Sequence, residues 1–100
     1  MTVTARELDR IVLQALSEDC ESFDSVVSKL SRLGSFICGV CDVDKVERSL
    51  LTSVGNKFVE AYLIHADPPY ATAVTVEAGT VSRYWYCITE EGKKYLRSLQ

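Results

Sequence analysis

The spacing of apolar residues changes along this chain from a helical period to a period of two. In the first segment, apolar residues recur at the three- and four-residue spacing of a helix, at Leu8, Ile11, Val12, Ala15 and Leu16. This pattern predicts a helix over residues 5–17, and Thr4 with Glu7 has the spacing of a capping box at its start. Leu13 lies off the apolar stripe, so we predict that it flanks a wide core face.

Two further helices are predicted in the first half of the chain. One covers residues 23–33, with Ser22 as its N-cap and Gly34 directly after its end. The other begins near Asp44 and ends near residues 55–56. Its apolar face consists of Val43, Val46, Leu50 and Val54. The connector between these two helices is rich in apolar and small residues and has no clear period.

After the third helix the period changes to that of β-strands. Apolar and polar residues alternate over 59–63, which predicts a strand of about seven residues that ends before the prolines at 68–69. A second, aromatic-rich strand is predicted over 83–88, so that the two strands form a long hairpin. Between them, residues 74–76 can extend one arm, and Gly79 can supply a turn.

A last helix is predicted near the C-terminus. Thr89 is its N-cap, and Glu90 and Glu91 place negative charge at the positive end of the helix dipole. Three apolar residues are predicted to pack this helix against the core: Tyr95, Leu96 and Leu99.

Composition narrows the class of protein. The chain has 100 residues, 47% hydrophobic and 25% charged, which predicts one globular domain over residues 1–100. Its net charge of -3 disfavours a general attraction to nucleic acid, so such a role needs a local basic patch. No apolar run approaches the roughly 18 residues of a membrane span, and the first residues lack the apolar core of a secretory signal. We therefore expect a cytoplasmic protein without a membrane partner.

The order of the predicted elements is three helices, a strand hairpin and a closing helix, which is an α+β chain. In residues 50–63 the third helix passes through a Gly-Asn break into a strand. In residues 85–99 a strand leads to a capping Thr, two acidic residues and a leucine-bearing helix. In these segments the chain resembles the winged helix-turn-helix domain of small MarR-like and PadR-like transcriptional regulators. The resemblance implies a winged helix: a three-helix bundle with a helix-turn-helix, a β-hairpin wing and a C-terminal helix.

In such proteins the third helix enters the major groove of DNA. The resemblance therefore implies that the polar face of the third helix binds duplex DNA. This face contains Lys45, Arg48, Ser49, Thr52 and Asn56. Arg48 and Asn56 would read base edges, because Arg can donate two bonds to guanine and Asn can pair with adenine. The other three would position the helix on phosphates. On composition alone, the same face can equally be an ordinary solvated helix surface.

Two features favour an alternative function, a winged-helix module that binds another protein and not DNA. The connector over residues 34–43 is about ten residues long, whereas a helix-turn-helix usually has a turn of 3–4 residues. The wing segment 66–82 has no Lys or Arg but contains Asp67 and Glu77. Because few cations can neutralise phosphates there, DNA binding would be weak or would need a dimer.

The leading hypothesis is a transcriptional regulator that binds DNA as a homodimer, because DNA sites are commonly read as two half-sites. We expect the first or the last helix to pair the subunits. Candidate contact residues are Leu13, Tyr95 and Leu99. The sequence leaves open the protein-binding alternative.

The four cysteines predict no zinc site of recognisable spacing. Cys38 and Cys41 form a C-x-x-C pair, but no second pair of ligands follows at zinc-ligand spacing. Winged helices often place a short strand after the first helix beside the hairpin, which would make Cys20 and Cys87 neighbours. We interpret these two as small apolar residues that remain thiols in a reducing cytosol. A metal site or a redox switch that involves Cys38 and Cys41 is a minor alternative.

No catalytic constellation is recognisable. The chain has no glycine-rich phosphate loop, no H-E-x-x-H helix and no G-x-S-x-G elbow. His65 stands alone near the end of a strand, where a solvated edge residue is the expected role. The aromatic residues of the hairpin are predicted to cover the core and pair across strands rather than stack on bases. We predict neither an enzyme nor a cofactor.

Overall fold

The computed structural model describes residues 5–34 and 43–99. Within them the chain forms four α-helices: α1 (Ala5–Leu16), α2 (Phe23–Gly34), α3 (Val43–Gly55) and α4 (Glu90–Ser98). The strands are β1 (Glu21–Ser22), β2 (Val59–Ile64), β3 (Ala71–Val74) and β4 (Trp85–Ile88), and a 3-10 helix over Val81–Arg83 precedes β4. They form one antiparallel sheet in the order β1-β4-β2-β3. The predicted α+β class is confirmed.

The four predicted helices are present, with ends that differ from the prediction by at most about two residues. The predicted caps of two of them also form. The Ser25 backbone N–H donates to the Ser22 Oγ at 3.2 Å, and the Gly92 N–H donates to the Thr89 Oγ1 at 3.0 Å. The predicted cap at Thr4 and the connector over residues 35–42 lie outside the described residues.

The predicted two-stranded hairpin contains a third strand, because β2 pairs with β3 as well as with β4. Strand β2 pairs with β4 as expected, with Tyr62 opposite Trp85. Strand β3 adds to the free edge of β2, where Ala61 lies opposite Val74. Arg83 belongs to the 3-10 helix and not to a strand, so the predicted strand over 83–88 begins too early. The exposed, small residues of β3 gave no periodic signal in the sequence.

The helices cover one face of the sheet and bury the core there. Helix α1 contacts α2, α3, α4 and β4, and α3 also contacts β2. Tyr86 is the largest of the fully buried side chains, and its hydroxyl donates to the Val81 carbonyl oxygen. Leu13 is also fully buried, which confirms its place on the core face. The prediction that Leu13 contacts a second subunit is therefore wrong, because its side chain has no surface left to offer.

Helix α3 ends in a left-handed turn that directs the chain into β2. The Phe58 N–H donates to the Ser53 carbonyl at 2.9 Å, and the Lys57 N–H donates to the Val54 carbonyl at 3.0 Å. These two bonds form a Schellman motif, which needs one residue in the left-handed region. The residue there is Lys57, with φ of 65°, and not the Gly55-Asn56 pair at which the sequence predicts the break.

The start of α4 is bonded to the same turn. The Thr89 Oγ1 donates to the Lys57 carbonyl at 2.7 Å, and the Thr89 N–H donates to the Phe58 carbonyl at 2.9 Å. The first turn of α4 lies so close that a Cβ on Gly92 would be 2.1 Å from the Phe58 carbonyl oxygen. We call this contact, formed by Lys57, Phe58, Thr89 and Gly92, the α3–α4 junction.

A second polar contact links α1, β1 and α2. The Lys29 ammonium donates both to a Glu21 carboxylate oxygen and to the Ala15 carbonyl oxygen at 3.1 Å. The Ser25 hydroxyl donates to the other Glu21 oxygen. These bonds from Lys29 and Ser25 hold the pKa of Glu21 below its ordinary value of 4.5. The charged form of Glu21 therefore stabilises the attachment of β1 to α2.

We expect Gly92→Ala to lower the free energy of unfolding by about 2–4 kcal/mol, because the new methyl group would overlap the Phe58 backbone. Urea titration of both proteins in the same redox state measures the difference. Gly55→Ala is the matched control, since nothing lies within 4 Å of a Cβ there. This control should leave stability unchanged or raise it by up to about 1 kcal/mol. Equal effects of the two substitutions would contradict the close approach of α4.

We expect Glu21→Gln to lower the free energy of unfolding by about 1 kcal/mol at neutral pH. A carboxyl group with a lowered pKa in the folded protein stabilises it above the ordinary pKa and loses this contribution as pH falls through the folded pKa. The difference between the two proteins should therefore shrink below pH 4.5. Urea titrations over a pH series measure it, with Asp67→Asn in an exposed loop as control. A difference that does not change with pH would refute the role given to the charge.

Candidate nucleic-acid interface

Four of the five predicted DNA-binding residues lie on one exposed face of α3. Their spacing is i, i+3, i+7 and i+11, and they are Lys45, Arg48, Thr52 and Asn56. Asn56 follows the last residue of α3, but its N–H still donates to the Thr52 carbonyl at 2.9 Å, so it continues the last helical turn. The face therefore presents two cations in its first half and a hydroxyl and an amide in its second half.

The fifth predicted residue, Ser49, does not belong to this face. Its side chain is buried, and its hydroxyl donates to an Asp9 carboxylate oxygen of α1 at 2.6 Å. The prediction that Ser49 contacts DNA is therefore wrong, because α1 covers it. Ser49 instead links α3 to α1 through its hydrogen bond to Asp9.

The burial of Ser49 follows from the way in which α3 is turned about its axis. The sequence places Val43 on the apolar face, but Val43 is 44% exposed, whereas Ser49 and Ser53 are buried. If serines are counted together with the apolar residues, the pattern matches the buried face of α3. The buried residues then have the helical spacing i, i+3, i+4 and i+7, at Val46, Ser49, Leu50 and Ser53. That signal is present in the sequence but is weaker than the apolar one, because serine more often faces solvent.

Acidic residues lie on the other side of Arg48. Asp44 and Glu47, with Arg48 and Leu51, line a cavity of about 190 Å³ whose other wall is formed by Ala78 and by Val81 of the 3-10 helix. Arg48 thus lies at the border between the polar face and an acidic flank. The local positive charge is modest, since two carboxylates of α3 accompany its two cations.

The tip of the hairpin adds no positive charge to this face. Asp67 and Glu77 are exposed, and the segment 66–82 contains no Lys or Arg.

His65 has a structural role directly after β2. Its backbone N–H donates to the Tyr70 carbonyl at 2.8 Å, and its ring Nε2 lies 2.9 Å from the Thr72 hydroxyl oxygen. His65 is therefore half-buried and bonded to β3, and it is not the solvated edge residue that the sequence predicts, because β2 lies between β4 and β3.

Cys20 and Cys87 form a disulfide between the start of β1 and β4. Their predicted proximity is confirmed, but the interpretation as small apolar residues that remain thiols is wrong. Cys20 is exposed, and its sulfur is bonded to Cys87 and not packed in the core. Cys38 and Cys41 lie outside the described residues. Within the part of the chain that is described, no three His, Cys, Asp or Glu side chains come together as a metal site.

A groove of about 530 Å³ lies between α1 and α2, and sequence reasoning missed it. It is lined by Arg10, Ile11, Gln14, Ala15, Glu18, Lys29 and Arg32. Apolar Ile11 and Ala15 line it together with polar residues of α1, of α2 and of the turn after α1, and only the packing of these elements makes a groove. The Lys29 ammonium is engaged by Glu21 and Ala15, as described above.

Two tyrosines have raised pKa values for different reasons. Burial raises the pKa of Tyr86, and the neighbouring Tyr84 and the negative charge of Glu47 add to this effect. A hydrogen bond to the Glu60 carboxylate, with an O–O distance of 2.7 Å, raises the pKa of Tyr62. Both hydroxyls donate hydrogen bonds at neutral pH, Tyr86 to the Val81 carbonyl and Tyr62 to the Glu60 carboxylate.

Comparison of the chain with family models, with curated proteins and with solved structures finds no match. None of the four described helices has the length and apolar character that crossing a bilayer requires. The functional argument therefore depends on the geometry of the chain itself.

We expect Ser49→Ala to lower the free energy of unfolding by about 1 kcal/mol, because it removes a buried hydrogen bond between α1 and α3. Thr52→Ala, one turn away on the exposed face, is the control and should change stability by less than about 0.5 kcal/mol. Urea titration measures both. If Thr52→Ala has the larger effect, the assignment of buried and exposed faces of α3 is wrong.

Proposed function

We propose that this chain is a winged-helix protein that binds duplex DNA through α3 and regulates transcription. The observation that carries the proposal is the continuous exposed face of Lys45, Arg48, Thr52 and Asn56 on a helix whose opposite side is buried. A helix that is held rigidly from behind and presents polar side chains outward suits the major groove, which is wide enough to admit it.

The order of elements supports the winged-helix assignment. Strand β1 follows α1 and pairs with β4, so that β4 lies between β1 and β2. This is the place that a winged helix gives to the short strand after its first helix. In this interpretation β2 and β4 are the wing, and β3 is an addition at its free edge.

The side chains on the face divide into two roles. Arg48 and Asn56 are assigned to base edges, because each can make two hydrogen bonds to one base. Lys45 and Thr52 are assigned to phosphates, for which a single charge or hydroxyl is sufficient. Ser49 is removed from the predicted set, because its hydroxyl is engaged by Asp9.

The low positive charge of the face determines how strong the nonspecific affinity for DNA should be and how steeply it should depend on salt concentration. A protein with few phosphate contacts has low nonspecific affinity and a shallow dependence on salt. We propose that a homodimer doubles these contacts, as expected for a protein that reads two half-sites. The lack of an enzymatic activity is part of the same proposal. The cytoplasmic location that the sequence predicts would keep Cys20 and Cys87 reduced, whereas these two residues form a disulfide.

One observation favours a second candidate function, a winged-helix module that binds another protein. The exposed acidic residues Asp67 and Glu77 and the absence of cations over 66–82 would repel the DNA backbone near the wing. Such a module would show no retention of duplex DNA at any salt concentration.

Selection from a random pool of duplex DNA at several salt concentrations tests the proposal, with an unrelated acidic protein as the background control. We expect an enriched sequence, and we expect Arg48→Glu to weaken binding to it about five- to 150-fold, because one base contact contributes about 1–3 kcal/mol. Arg97→Glu makes the same charge change on the exposed surface of α4 and should alter affinity by less than about twofold.

Three results would overturn the DNA-binding proposal. The first is no retention of DNA above the background control at the lowest salt concentration. The second is equal loss of affinity in Arg48→Glu and Arg97→Glu, which would indicate an effect of net charge alone. The third is unchanged affinity in Arg48→Glu. The first result would support the protein-binding module.

A further inference from the structure

The groove between α1 and α2 has the size of a small-molecule site. Its volume of about 530 Å³ lies within the range of about 300–1,000 Å³ that is usual for ligand pockets. Its apolar lining consists of Ile11 and Ala15, which lie one helical turn apart on α1 and are both half-buried. Among the described residues that line the groove, none is aromatic. An apolar ligand would therefore meet aliphatic carbon there and not a ring on which to stack.

The groove has more positive than negative charge, although the chain as a whole is acidic. The cationic residues of its lining are Arg10, Lys29 and Arg32, and the anionic one is Glu18. The net charge of the whole chain is -3. All four side chains border the same cavity, so their charges act directly on a molecule that occupies it. Charge complementarity therefore favours an anionic ligand.

Arg10 has a charge that is left for such an anion. Arg10 is half-buried, and within the described residues its guanidinium forms no ion pair and no hydrogen bond. The Lys29 ammonium, by contrast, is already bonded to Glu21 and to the Ala15 carbonyl. Because a half-buried cation has lost part of its contact with water, a carboxylate in the groove would supply the hydrogen-bond acceptors that Arg10 lacks.

We propose that this groove binds a medium-chain aliphatic carboxylate. The carboxylate accepts two hydrogen bonds from the Arg10 guanidinium, whose planar donors match its two oxygens. The alkyl chain lies over Ile11 and Ala15, where its burial removes aliphatic surface from water on both sides. Glu18 lies eight positions after Arg10, beyond the end of α1, and its carboxylate repels the head group. The head group therefore takes the Arg10 end of the groove.

This site is separate from the surface to which DNA binding is assigned. The groove has no residue in common with the exposed face of α3, which consists of Lys45, Arg48, Thr52 and Asn56. The proposal therefore goes beyond the proposed function, and its test needs no DNA.

A series of ligands tests both parts of the site on the full chain by isothermal titration calorimetry. We expect hexanoate, octanoate and decanoate, all kept below the concentrations at which they form micelles, to bind with increasing affinity. Each added methylene should tighten binding about two- to fourfold, because it buries further aliphatic surface. 1-Octanol has the same chain length without a charge, and octylammonium has it with the opposite charge. Both should bind at least about threefold more weakly than octanoate.

Two substitutions separate the charge from the apolar lining. Arg10→Gln should weaken octanoate binding about three- to tenfold, as expected for an ion pair in a half-exposed site. Arg97→Gln makes the same change on the exposed surface of α4 and should leave the affinity unchanged. Ala15→Phe fills the groove and should weaken binding at least about tenfold, since it displaces several methylenes of the ligand. Its control is Ala71→Phe, which adds the same ring to the exposed strand β3.

Backbone amide signals locate the ligand without any substitution. In an NMR titration of the labelled full chain with octanoate, the signals of Ile11, Ala15 and Lys29 should move most. Trp85 and Ile64, which are exposed apolar residues of the sheet, should keep their signals. These two residues report whether octanoate binds merely to any exposed apolar surface.

The proposal is overturned if octanoate does not bind, or if 1-octanol or octylammonium binds as tightly as octanoate does. It is also overturned if the largest shifts lie at Trp85 or Ile64, or if Arg10→Gln and Arg97→Gln lower the affinity equally. Should Ala15→Phe fail to fold, as judged by circular dichroism, the ligand series and the NMR titration of the unchanged chain still decide. Failure of this site would leave DNA binding through α3 intact, and failure of DNA binding would leave this site intact.

Discussion

The α3–α4 junction is the contact on which the other elements depend. Its bonds hold the end of α3, the start of β2 and the start of α4 in one place, because Thr89 caps α4 and also bonds the Lys57 and Phe58 carbonyls. The direction of β2 determines where β4 pairs, and β4 in turn carries β1 and the disulfide. Gly92 permits the close approach, since any larger residue would overlap the Phe58 backbone.

The rotation of α3 about its axis decides which residues are free to meet a partner. The bond from Ser49 to Asp9 turns the serine side of the helix toward α1 and leaves Val43 exposed. As a consequence, the polar face consists of four side chains and not five, and it borders the acidic flank at Arg48. Its cations are few, which is why a dimer matters to the proposed function.

One face of the sheet carries the helices of the molecule. This inner face holds the helices through Val59, Ala61 and Tyr86, and it thereby supports α3.

Local sequence signals determined the helices, two of their caps and the buried side of β2, because periodicity and capping depend on residues close together in the chain. The proximity of Cys20 to Cys87, 67 positions apart, was expected only from the resemblance to winged helices. Contacts between distant residues decided the rest. Ser49 is buried because Asp9 lies opposite it, forty positions away. The left-handed residue Lys57 lies in a turn that bonds to Thr89, and β3 pairs with the edge of β2 that β4 leaves free. No pattern within a single element contains these partners, so only the tertiary structure could reveal them.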